Sequence, residues 1–259
     1  MEKNAQSPFD FCDATALVVG GSTGLGFAMA KGLLAHGGRV CITSRSAETA
    51  RARAAELAGR FDGRCCGFGV DIGDEGSVAR LMDAVAGAFG GALNIVINSA
   101  GINIRNPIEN VSLEEWNAVQ RVNSTGGFLV ARGAFPLLRN APWGRLIHVT
   151  SIFSSRSYPH RASYAASKGA LMQLTRTLAL EWAPHRITVN AISPGPFLTE
   201  INRPVLADQD TYRKFCENIP LGRFGEPAEI VTACLFLASP ASSYITGADV
   251  VVDGGWMAK

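Results

Sequence analysis

The sequence contains neither a long hydrophobic run nor a marked excess of charge, and each absence excludes a class of protein. Lys and Arg total 24 and Asp and Glu total 22, so the net charge of +2 provides no basic surface for nucleic acid. No stretch reaches the ~18 consecutive apolar residues typical of a membrane span. Residues 1–13 are polar and acidic, unlike a signal peptide, and we expect a cytoplasmic protein with a small-molecule partner.

The six cysteines follow no C-x-x-C spacing. Neither a metal site nor a disulfide framework is therefore indicated. Most of the cysteines lie in apolar stretches, and we interpret them as buried thiols because Cys is commonly a small core residue. No internal repeat or low-complexity linker divides the 259 residues.

Short apolar runs alternate with longer amphipathic stretches along the chain. The runs predict strands at residues 15–20, 39–44, 65–70, 94–99, 145–150, 187–192 and 249–254. The stretches between them predict helices at residues 24–36, 47–58, 75–89, 113–138, 164–182 and 228–237. This alternation predicts an α/β fold, with one doubly wound domain over residues 1–259 and a seven-stranded parallel sheet covered by helices on both faces.

Local signals mark two helix starts and one unusual segment. Ser112 and Glu115 form a capping-box pattern, and Pro227 fits the first turn of the last helix. Residues 193–225 contain four prolines and no clean periodicity. Long segments of this kind inside a domain are more often functional than simple connectors, so we interpret residues 193–225 as a substrate lid.

A glycine-rich loop, G-G-S-T-G-L-G, joins the first predicted strand to the first predicted helix. Its glycines Gly20, Gly24 and Gly26 have the spacing G-x-x-x-G-x-G, which is longer than the common dinucleotide fingerprint. Free backbone N–H groups and the helix dipole converge at such a loop. A glycine turn alone is weak evidence, but this position between strand and helix predicts a pyrophosphate site.

The end of the second predicted strand indicates which nicotinamide cofactor is preferred. An acidic residue there would bind the ribose 2′-hydroxyl, whereas this chain has Ser44 followed by Arg45. A guanidinium binds a phosphate through two charge-assisted hydrogen bonds, which favours NADP over NAD. The alternative is a solvated Arg at the start of the next helix. Asp71 and the turn at residues 98–101 follow the third and fourth strands, where such sheets bind ligands.

Tyr164 and Lys168 lie four residues apart in a predicted helix, so their side chains share one face. An adjacent ammonium stabilises a phenolate, and we expect it to lower the pKa of the phenol from its usual value near 10. Ser151 ends a predicted strand 13 residues earlier. Its hydroxyl could hold a carbonyl oxygen while Tyr164 donates a proton. Without Ser151, the Tyr and Lys spacing would equally describe a surface pair.

Together these motifs resemble the single-domain short-chain dehydrogenase/reductase family, nearly from end to end. The resemblance rests on the glycine loop, N-S-A-G at residues 98–101, Asn123, Ser151, Y-A-A-S-K at residues 164–168 and S-P-G at residues 193–195. It implies a Rossmann fold and carbonyl reduction with Tyr164 as the acid, or alcohol oxidation with Tyr164 as the base. Lys168 would lower the pKa of that phenol and hold the nicotinamide ribose, Ser151 would position the substrate oxygen, and Asn123 would hold a water of a proton relay.

The cofactor site expected from the strand ends and from the resemblance spans the whole chain. Two positions depart from the family pattern: Val19 replaces a Thr before the glycine loop, and Ser99 replaces the second Asn of N-N-A-G. In the family that Thr ties the loop to the N-N-A-G strand, so one contact is expected to be altered. The expected NADP(H) residues are Gly20, Ser22, Thr23, Gly24, Leu25, Ser44, Arg45, Asp71, Ile72, Asn98, Ala100, Gly101, Tyr164, Lys168, Pro194, Gly195, Phe197 and Thr199.

Within the family, the chain most resembles the gluconate 5-dehydrogenases and related sugar-acid or polyol reductases. Arg105 follows the N-S-A-G turn and could pair with a substrate carboxylate, the alternative being a solvated loop residue. Ser151, Phe153 and His160 are further substrate candidates. The aromatic residues leave open a 3-oxoacyl thioester on an acyl carrier protein or a hydrophobic ketone.

Other classes of protein fit the sequence less well. Sugar-nucleotide epimerases share the Tyr and Lys spacing, but they have a different glycine spacing and a larger C-terminal domain. A cofactor-binding protein without turnover would be expected to lose Tyr164 or Lys168, and both are present. The resemblance also implies a homotetramer, with the helices at residues 113–138 and 164–182 packed between subunits.

Overall fold

The computed structural model describes residues 7–259, and its seven strands form one parallel sheet. The strand order is β3-β2-β1-β4-β5-β6-β7, so the direction of winding reverses between β1 and β4. In such sheets the crevice outside the carboxyl ends of the strands at this switch point binds ligands. The strands are β1 Thr15–Val19, β2 Arg39–Ser44, β3 Cys65–Gly69, β4 Ile95–Asn98, β5 Gly144–Val149, β6 Ile187–Pro194 and β7 Asp249–Val252.

Helices cover both faces of the sheet. Alternate residues of β1 show the two faces: Ala16 and Val18 belong to one buried cluster, and Leu17 and Val19 belong to the other. The first cluster packs under α1, α2 and α9, and the second under α3, α5 and α6. The helices are α1 Gly24–Ala35, α2 Ala47–Arg60, α3 Glu75–Phe89, α4 Leu113–Gln120, α5 Gly126–Asn140, α6 Ala162–Trp182, α7 Arg203–Leu206, α8 Gln209–Glu217 and α9 Val231–Ala238.

The predicted strands and most of the predicted helices are present, with ends shifted by one to three residues. The capping box is confirmed, since Ser112 Oγ accepts a hydrogen bond from Glu115 N–H and the Glu115 carboxylate accepts one from Ser112 N–H. Pro227 begins a 3₁₀ turn, Pro227–Ile230, that leads into α9. These elements were predictable because apolar periodicity and capping residues are local signals.

Two segments contain features that the sequence did not predict. The stretch at residues 113–138 is helical as predicted, but a π-helical turn at Arg121–Thr125 interrupts it and divides it into α4 and α5. Residues 193–225, which show no clean periodicity, contain α7 and α8. These helices pack around a third, smaller apolar cluster built on Phe215, Ile219 and Phe224.

All six cysteines are free thiols, but only Cys41 and Cys234 are buried, and Cys12 is exposed. The interpretation of the cysteines as buried residues therefore holds for only part of the set. No helix within residues 7–259 is long and apolar enough to cross a membrane. The same residues contain no group of three or more His, Cys, Asp or Glu side chains that could bind a metal ion.

Candidate active site

A cleft of about 630 Å³ opens at the carboxyl ends of the strands. It is lined by residues that follow β1, β2, β3, β4, β5 and β6, together with the start of α6 and residues 199–202. Five cationic side chains line it, those of Arg45, Arg105, Arg121, Arg161 and Lys168, against the carboxylates of Asp71 and Glu200. The excess of positive charge favours an anionic ligand.

The glycine loop needs its glycines for two separate reasons. Gly20 and Gly24 have φ angles of +73° and +53°, which side-chain-bearing residues rarely adopt. At Gly26, a Cβ atom would lie 2.3 Å from the Gly20 carbonyl oxygen, so any larger residue would push the start of α1 away from the loop. The loop therefore keeps its backbone close to the cleft, as a pyrophosphate site requires.

The loop is tied to the sheet by a contact that the sequence did not indicate. Gly20 N–H donates to Thr43 Oγ1 over 3.1 Å, and Ser99 N–H donates to the Val19 carbonyl over 2.9 Å. The Val19 side chain lies in the apolar cluster under α3 and α5. A hydroxyl on β2 thus anchors the loop of this chain, which has Val at position 19.

Two charged residues that follow β2 and β3, Arg45 and Asp71, line the cleft. Arg45 is exposed at the rim and forms no ion pair with any residue of the described range 7–259. Asp71 accepts from Arg121 Nη1 over 2.9 Å and from Gly73 N–H over 2.9 Å. The Arg121 guanidinium, through that bond, holds the pKa of Asp71 below its ordinary value.

Tyr164 and Ser151 face each other deep in the cleft. Tyr164 lies in the first turn of α6, and Ser151 directly follows β5 and Thr150. Ser151 Oγ accepts from Phe153 N–H over 3.2 Å, and the Ser151 hydroxyl opposes the rise that burial causes in the pKa of the Tyr164 phenol. The Phe153 ring packs edge-on against the Tyr164 ring, with centroids 6.5 Å apart. A carbonyl oxygen between the two hydroxyls would be within reach of both donors.

The pKa of Tyr164 is not lowered in this structure, contrary to the expectation from the sequence. Burial raises the pKa of the phenol, and the groups that oppose this rise are the Ser151 hydroxyl, Arg105 and Arg161. Lys168 Nζ lies 5.7 Å from the centre of the Tyr164 ring and donates instead to the Val149 carbonyl over 2.7 Å. Desolvation of the phenolate therefore outweighs the nearby positive charges.

Lys168 is only 3% exposed, and burial lowers its pKa to about 8. His148, on β5, is also fully buried near this ammonium. Burial, followed by the charge of Lys168, lowers the pKa of His148 to about 3. The imidazole is therefore neutral, and its Nδ1 bonds to Thr175 Oγ1 over 2.9 Å.

Asn123 occupies the π-helical turn between α4 and α5 and is 1% exposed. Its Oδ1 accepts from Ile102 N–H, and its Nδ2 donates to the Ile102 carbonyl and to Ser167 Oγ, each over 2.9 Å. The extra residue of a π-turn re-aims a side chain, and such turns are frequent at functional sites. Asn123 therefore bonds the loop after β4 to α6, and not the backbone of its own helix.

Two guanidiniums, those of Arg105 and Arg161, line the same cleft as Tyr164. Arg105 is half-buried, and its Nη2 donates to the Ile201 carbonyl over 2.8 Å and to Asn202 Oδ1 over 3.1 Å. Its Nε is buried without a partner among the described residues. Arg161 is 7% exposed, and its Nη1 donates to the His160 carbonyl over 3.1 Å. Arg105 is thus not a solvated loop residue, and a second guanidinium stands beside it.

A family model described as "Enoyl-(Acyl carrier protein) reductase" matches residues 19–257. The chain belongs to the short-chain dehydrogenase/reductase family. A 3beta-hydroxysteroid dehydrogenase 1 of Eggerthella lenta is 40% identical over 248 residues, covering 95% of this chain and 94% of that protein. A gluconate 5-dehydrogenase of Gluconobacter oxydans is 33% identical over 248 residues, covering 95% and 96% respectively.

A solved structure extends the similarity to the fold of this dehydrogenase/reductase. The gluconate 5-dehydrogenase of Burkholderia cenocepacia, in complex with NADP and tartrate, superposes with a TM-score of 0.93 at 32% identity, covering 97% of this chain and 98% of that one. The predicted family, the doubly wound fold and the assignment as an oxidoreductase acting on CH–OH groups are confirmed. The Burkholderia enzyme binds the nicotinamide cofactor NADP in that structure.

The structure brings together most of the side chains that the sequence singled out. Ser151, Tyr164 and Lys168 line the cleft, as do Arg105 and Phe153. Every predicted cofactor residue except Asn98 also lines it; Asn98 is buried behind the loop. Asn123 lies behind the cleft too. His160 is exposed outside the cleft, because its left-handed backbone, with φ +63°, turns the side chain outward and its carbonyl toward Arg161.

The residues that line the cleft without having been singled out from the sequence include Thr43, Arg121 and Arg161. Thr43 precedes Ser44 in an apolar strand, Arg121 lies two residues before Asn123, and Arg161 lies three residues before Tyr164. For Arg161 a signal existed, because residues three apart on a helix are neighbours. For Thr43 and Arg121 the signal is weak, since an isolated hydroxyl or a charge on an amphipathic helix is typical of many positions without function.

Proposed function

We propose that this protein is an NADP(H)-dependent oxidoreductase that interconverts a ketone and a secondary alcohol, with a sugar acid or polyol as substrate. One observation carries the proposal: Tyr164, Ser151 and Lys168 converge in a cleft that Arg105 also lines. A phenol and a hydroxyl facing one point suit carbonyl chemistry, and a guanidinium beside them suits an acidic substrate. The similarity to gluconate 5-dehydrogenases supports the same substrate class.

The residues present fit a phosphorylated dinucleotide. Gly20 and Gly24 provide the positive φ angles of a phosphate-binding turn, and a Cβ on Gly24 would meet the Thr199 methyl at 3.4 Å. Arg45 at the end of β2 would hold the 2′-phosphate of NADP, and Asp71 lies where the adenine end is expected. Pro194, Gly195 and Phe197, at and after the end of β6, would hold the nicotinamide end.

When bound, the nicotinamide cofactor supplies or takes up the hydride. Ser151 Oγ orients the substrate oxygen, and Tyr164 Oη donates a proton to it in reduction or removes one in oxidation. Burial raises the pKa of Tyr164, which favours the protonated phenol that acts as the acid. Lys168 Nζ lies 5.7 Å from the centre of the Tyr164 ring, and its positive charge stabilises the negative charge that develops on the phenol oxygen.

Asn123 contributes to the route by which the proton is replaced. Asn123 Oδ1 and Lys168 Nζ lie 3.3 and 3.4 Å from the point at which a Cβ on Gly101 would stand. The absent side chain of Gly101 leaves a small polar space between these groups. A water molecule there would link Lys168 to the Ile102 peptide, which Asn123 holds on both sides.

The substitution Tyr164→Phe tests the proposed chemistry. It removes one oxygen from a buried ring, so we expect turnover to fall by about 10²-fold or more, the scale of general acid catalysis, with unchanged binding of NADPH. Ketones, keto sugar acids and 3-oxoacyl thioesters would be assayed with NADPH and NADH, and NADPH binding would be followed by its fluorescence. Near-normal turnover in the variant would disprove the role of Tyr164.

A second candidate substrate is a hydrophobic ketone. The steroid dehydrogenase of Eggerthella is more similar in sequence than the gluconate enzymes, at 40% identity. Phe153 and Phe215 give the cleft an aromatic wall that suits such a substrate. In the assay panel, a preference for neutral hydrophobic ketones over keto acids would favour this alternative.

Assembly as a homotetramer in the cytoplasm is part of the proposal. Three large apolar side chains are exposed on the helices expected at the subunit interface: Leu113 on α4, Phe128 on α5 and Leu180 on α6. Exposed apolar patches of this kind support an association surface. Sedimentation equilibrium would give four times the mass of one chain.

The segment at residues 193–225 is proposed as the substrate lid. Glu200, Ile201, Asn202 and Phe215 line the cleft from this segment. Arg105 donates hydrogen bonds to two of these residues, which links the lid to the loop after β4.

A further inference from the structure

Arg161 is a charged residue in a place where charge is unfavourable. It occupies the N-cap of α6 without a side-chain capping bond, although Ser, Thr, Asp and Asn are preferred there. The N-terminus of a helix carries partial positive charge, so a cation at this end is repelled. Arg161 therefore does not stabilise the helix that it begins.

No carboxylate among residues 7–259 forms an ion pair with Arg161. The side chain is 7% exposed. Its Nη1 bonds only to the carbonyl of the preceding His160, whose backbone is left-handed. A buried guanidinium without a carboxylate is costly to the folded state. Burial, followed by the charge of Arg105, lowers the pKa of Arg161 to about 10, in agreement with an uncompensated charge.

Arg161 shares the cleft with Arg105 and Tyr164. All three residues line the cleft, and the charges of both guanidiniums oppose the rise that burial causes in the pKa of the Tyr164 phenol. Arg105 has an unpartnered buried Nε, and its Nη2 is fixed by Ile201 and Asn202. Each guanidinium presents a planar fork of N–H donors, and two of them lining one cleft are complementary to a carboxylate.

We propose that Arg161 is a specificity-determining residue that, together with Arg105, binds the carboxylate of a compact oxo or hydroxy acid. This rests on the proposed function, which places the reacting carbonyl at Tyr164 and Ser151. Arg161 and Tyr164 are three residues apart at the start of one helix, where side chains begin ~5–6 Å from each other. The acid group of the substrate therefore lies within a few bonds of the reacting carbon, and not at the far end of a long chain.

If the proposal is right, the protein binds a small acid more tightly than its neutral ester, and a binding measurement without turnover detects this difference. The probe is malonate, a small dicarboxylate, titrated calorimetrically into the NADPH-saturated protein, with dimethyl malonate as the neutral comparison. Arg161→Gln keeps a polar side chain but removes the charge, and Arg161→Lys keeps the charge but loses the fork. Arg156→Gln is the matched control, because Arg156 is exposed on the same loop and does not line the cleft.

We expect Arg161→Gln to weaken malonate binding by about 10- to 100-fold, the effect of losing a charge-assisted hydrogen bond. The affinity for NADPH should change by less than about twofold, and Arg161→Lys should show an intermediate loss. Arg156→Gln should bind malonate like the wild type. With keto acids, the loss in kcat/KM should arise in KM, and the methyl esters should be unaffected.

Two outcomes would overturn the proposal. Malonate binding that is unchanged in Arg161→Gln would show that Arg161 binds no anion, and weakened NADPH binding with unchanged malonate binding would make it a cofactor residue. Since malonate binding needs no turnover, a failure of this proposal is distinguishable from a failure of the catalytic one, which Tyr164→Phe tests separately. Melting temperatures within a few degrees of the wild type would show that the Arg161 variants fold.

Discussion

At the scale of single residues, the site depends on burying polar groups that would be more stable in water. Lys168 and Tyr164 are both nearly inaccessible, and burial shifts the pKa of each toward its neutral form. The pKa of the Lys168 ammonium is brought closer to neutral pH, and the raised pKa of the Tyr164 phenol favours its protonated form. Active sites commonly store such unfavourable burial, because it prepares groups for proton transfer.

The lowered pKa of Lys168 predicts a pH dependence of stability. The pKa is about 8 in the folded protein, against an ordinary value of 10.5. Between these values the unfolded chain binds a proton that the folded chain lacks, so the free energy of unfolding rises with pH, by up to about 1.4 kcal/mol per pH unit. Lys168→Met removes this dependence. Urea unfolding across this pH range should show the wild type gaining stability relative to the variant, and parallel curves would contradict the prediction.

Arg45 predicts the choice of cofactor. Its guanidinium is exposed at the rim of the cleft and has no ionic partner within residues 7–259. Arg45→Ala should lower kcat/KM for NADPH by about tenfold or more, the value of a lost charge-assisted bond to phosphate, and leave NADH nearly unaffected. Steady-state kinetics with both cofactors give the ratio. If the ratio does not change, Arg45 is only a solvated residue.

At the scale of elements, the sequence predicted what is periodic and missed what interrupts a period. The strands and the glycine loop were found because alternation and glycine spacing are local. The π-turn at Arg121–Thr125 was missed, because one inserted residue leaves the apolar pattern on either side intact. Asn123 was singled out, but its bonds to Ile102 are tertiary contacts between distant segments. The helix α8 was missed because it is short and lies between prolines.

The glycine loop gives a prediction with a matched control. At Gly26 a Cβ would meet the Gly20 carbonyl oxygen at 2.3 Å, whereas at Gly87, on the exposed side of α3, nothing lies within 4 Å. Gly26→Ala should therefore destabilise the protein by about 1–3 kcal/mol and weaken NADPH binding. Gly87→Ala should stabilise it by about 0.5–1 kcal/mol, because Ala is the better helix former. Denaturant unfolding and NADPH titration of both variants measure these effects, and equal behaviour would refute the loop argument.

At the scale of the whole molecule, we expect α7 and α8 to open at a lower free energy than the sheet. The sheet lies between two large apolar clusters, while α7 and α8 pack on a small third cluster. Fewer buried apolar contacts permit local opening at a lower free energy than global unfolding. If residues 193–225 act as the proposed lid, we expect cofactor binding to depend on the more stable part and substrate admission on the less stable one.

Hydrogen exchange tests whether α7 and α8 open separately from the sheet. Amides of α7 Arg203–Leu206 and α8 Gln209–Glu217 should exchange at least tenfold faster than those of β4 and β5, since they open without unfolding the sheet. Addition of NADPH with malonate should slow exchange in these helices, because Arg105 in the cleft bonds to Ile201 and Asn202, which directly precede α7. Equal protection of the helices and the central strands would show that residues 193–225 do not open separately.

The pairing between Phe197 and Gly225 has a consequence for how such enzymes diversify. These residues form an isolated parallel bridge, with Leu198 N–H bonded to the Gly225 carbonyl and Gly225 N–H bonded to the Pro196 carbonyl. The chain therefore leaves and rejoins the body of the domain at almost one point. We expect that much of the segment between these paired residues can be exchanged in chimaeras without altering the register of any strand, provided that Thr199 and the partners of Arg105, Ile201 and Asn202, are kept. Such exchanges would change the wall that residues 193–225 contribute to the cleft and leave Ser151, Tyr164 and Lys168 in place.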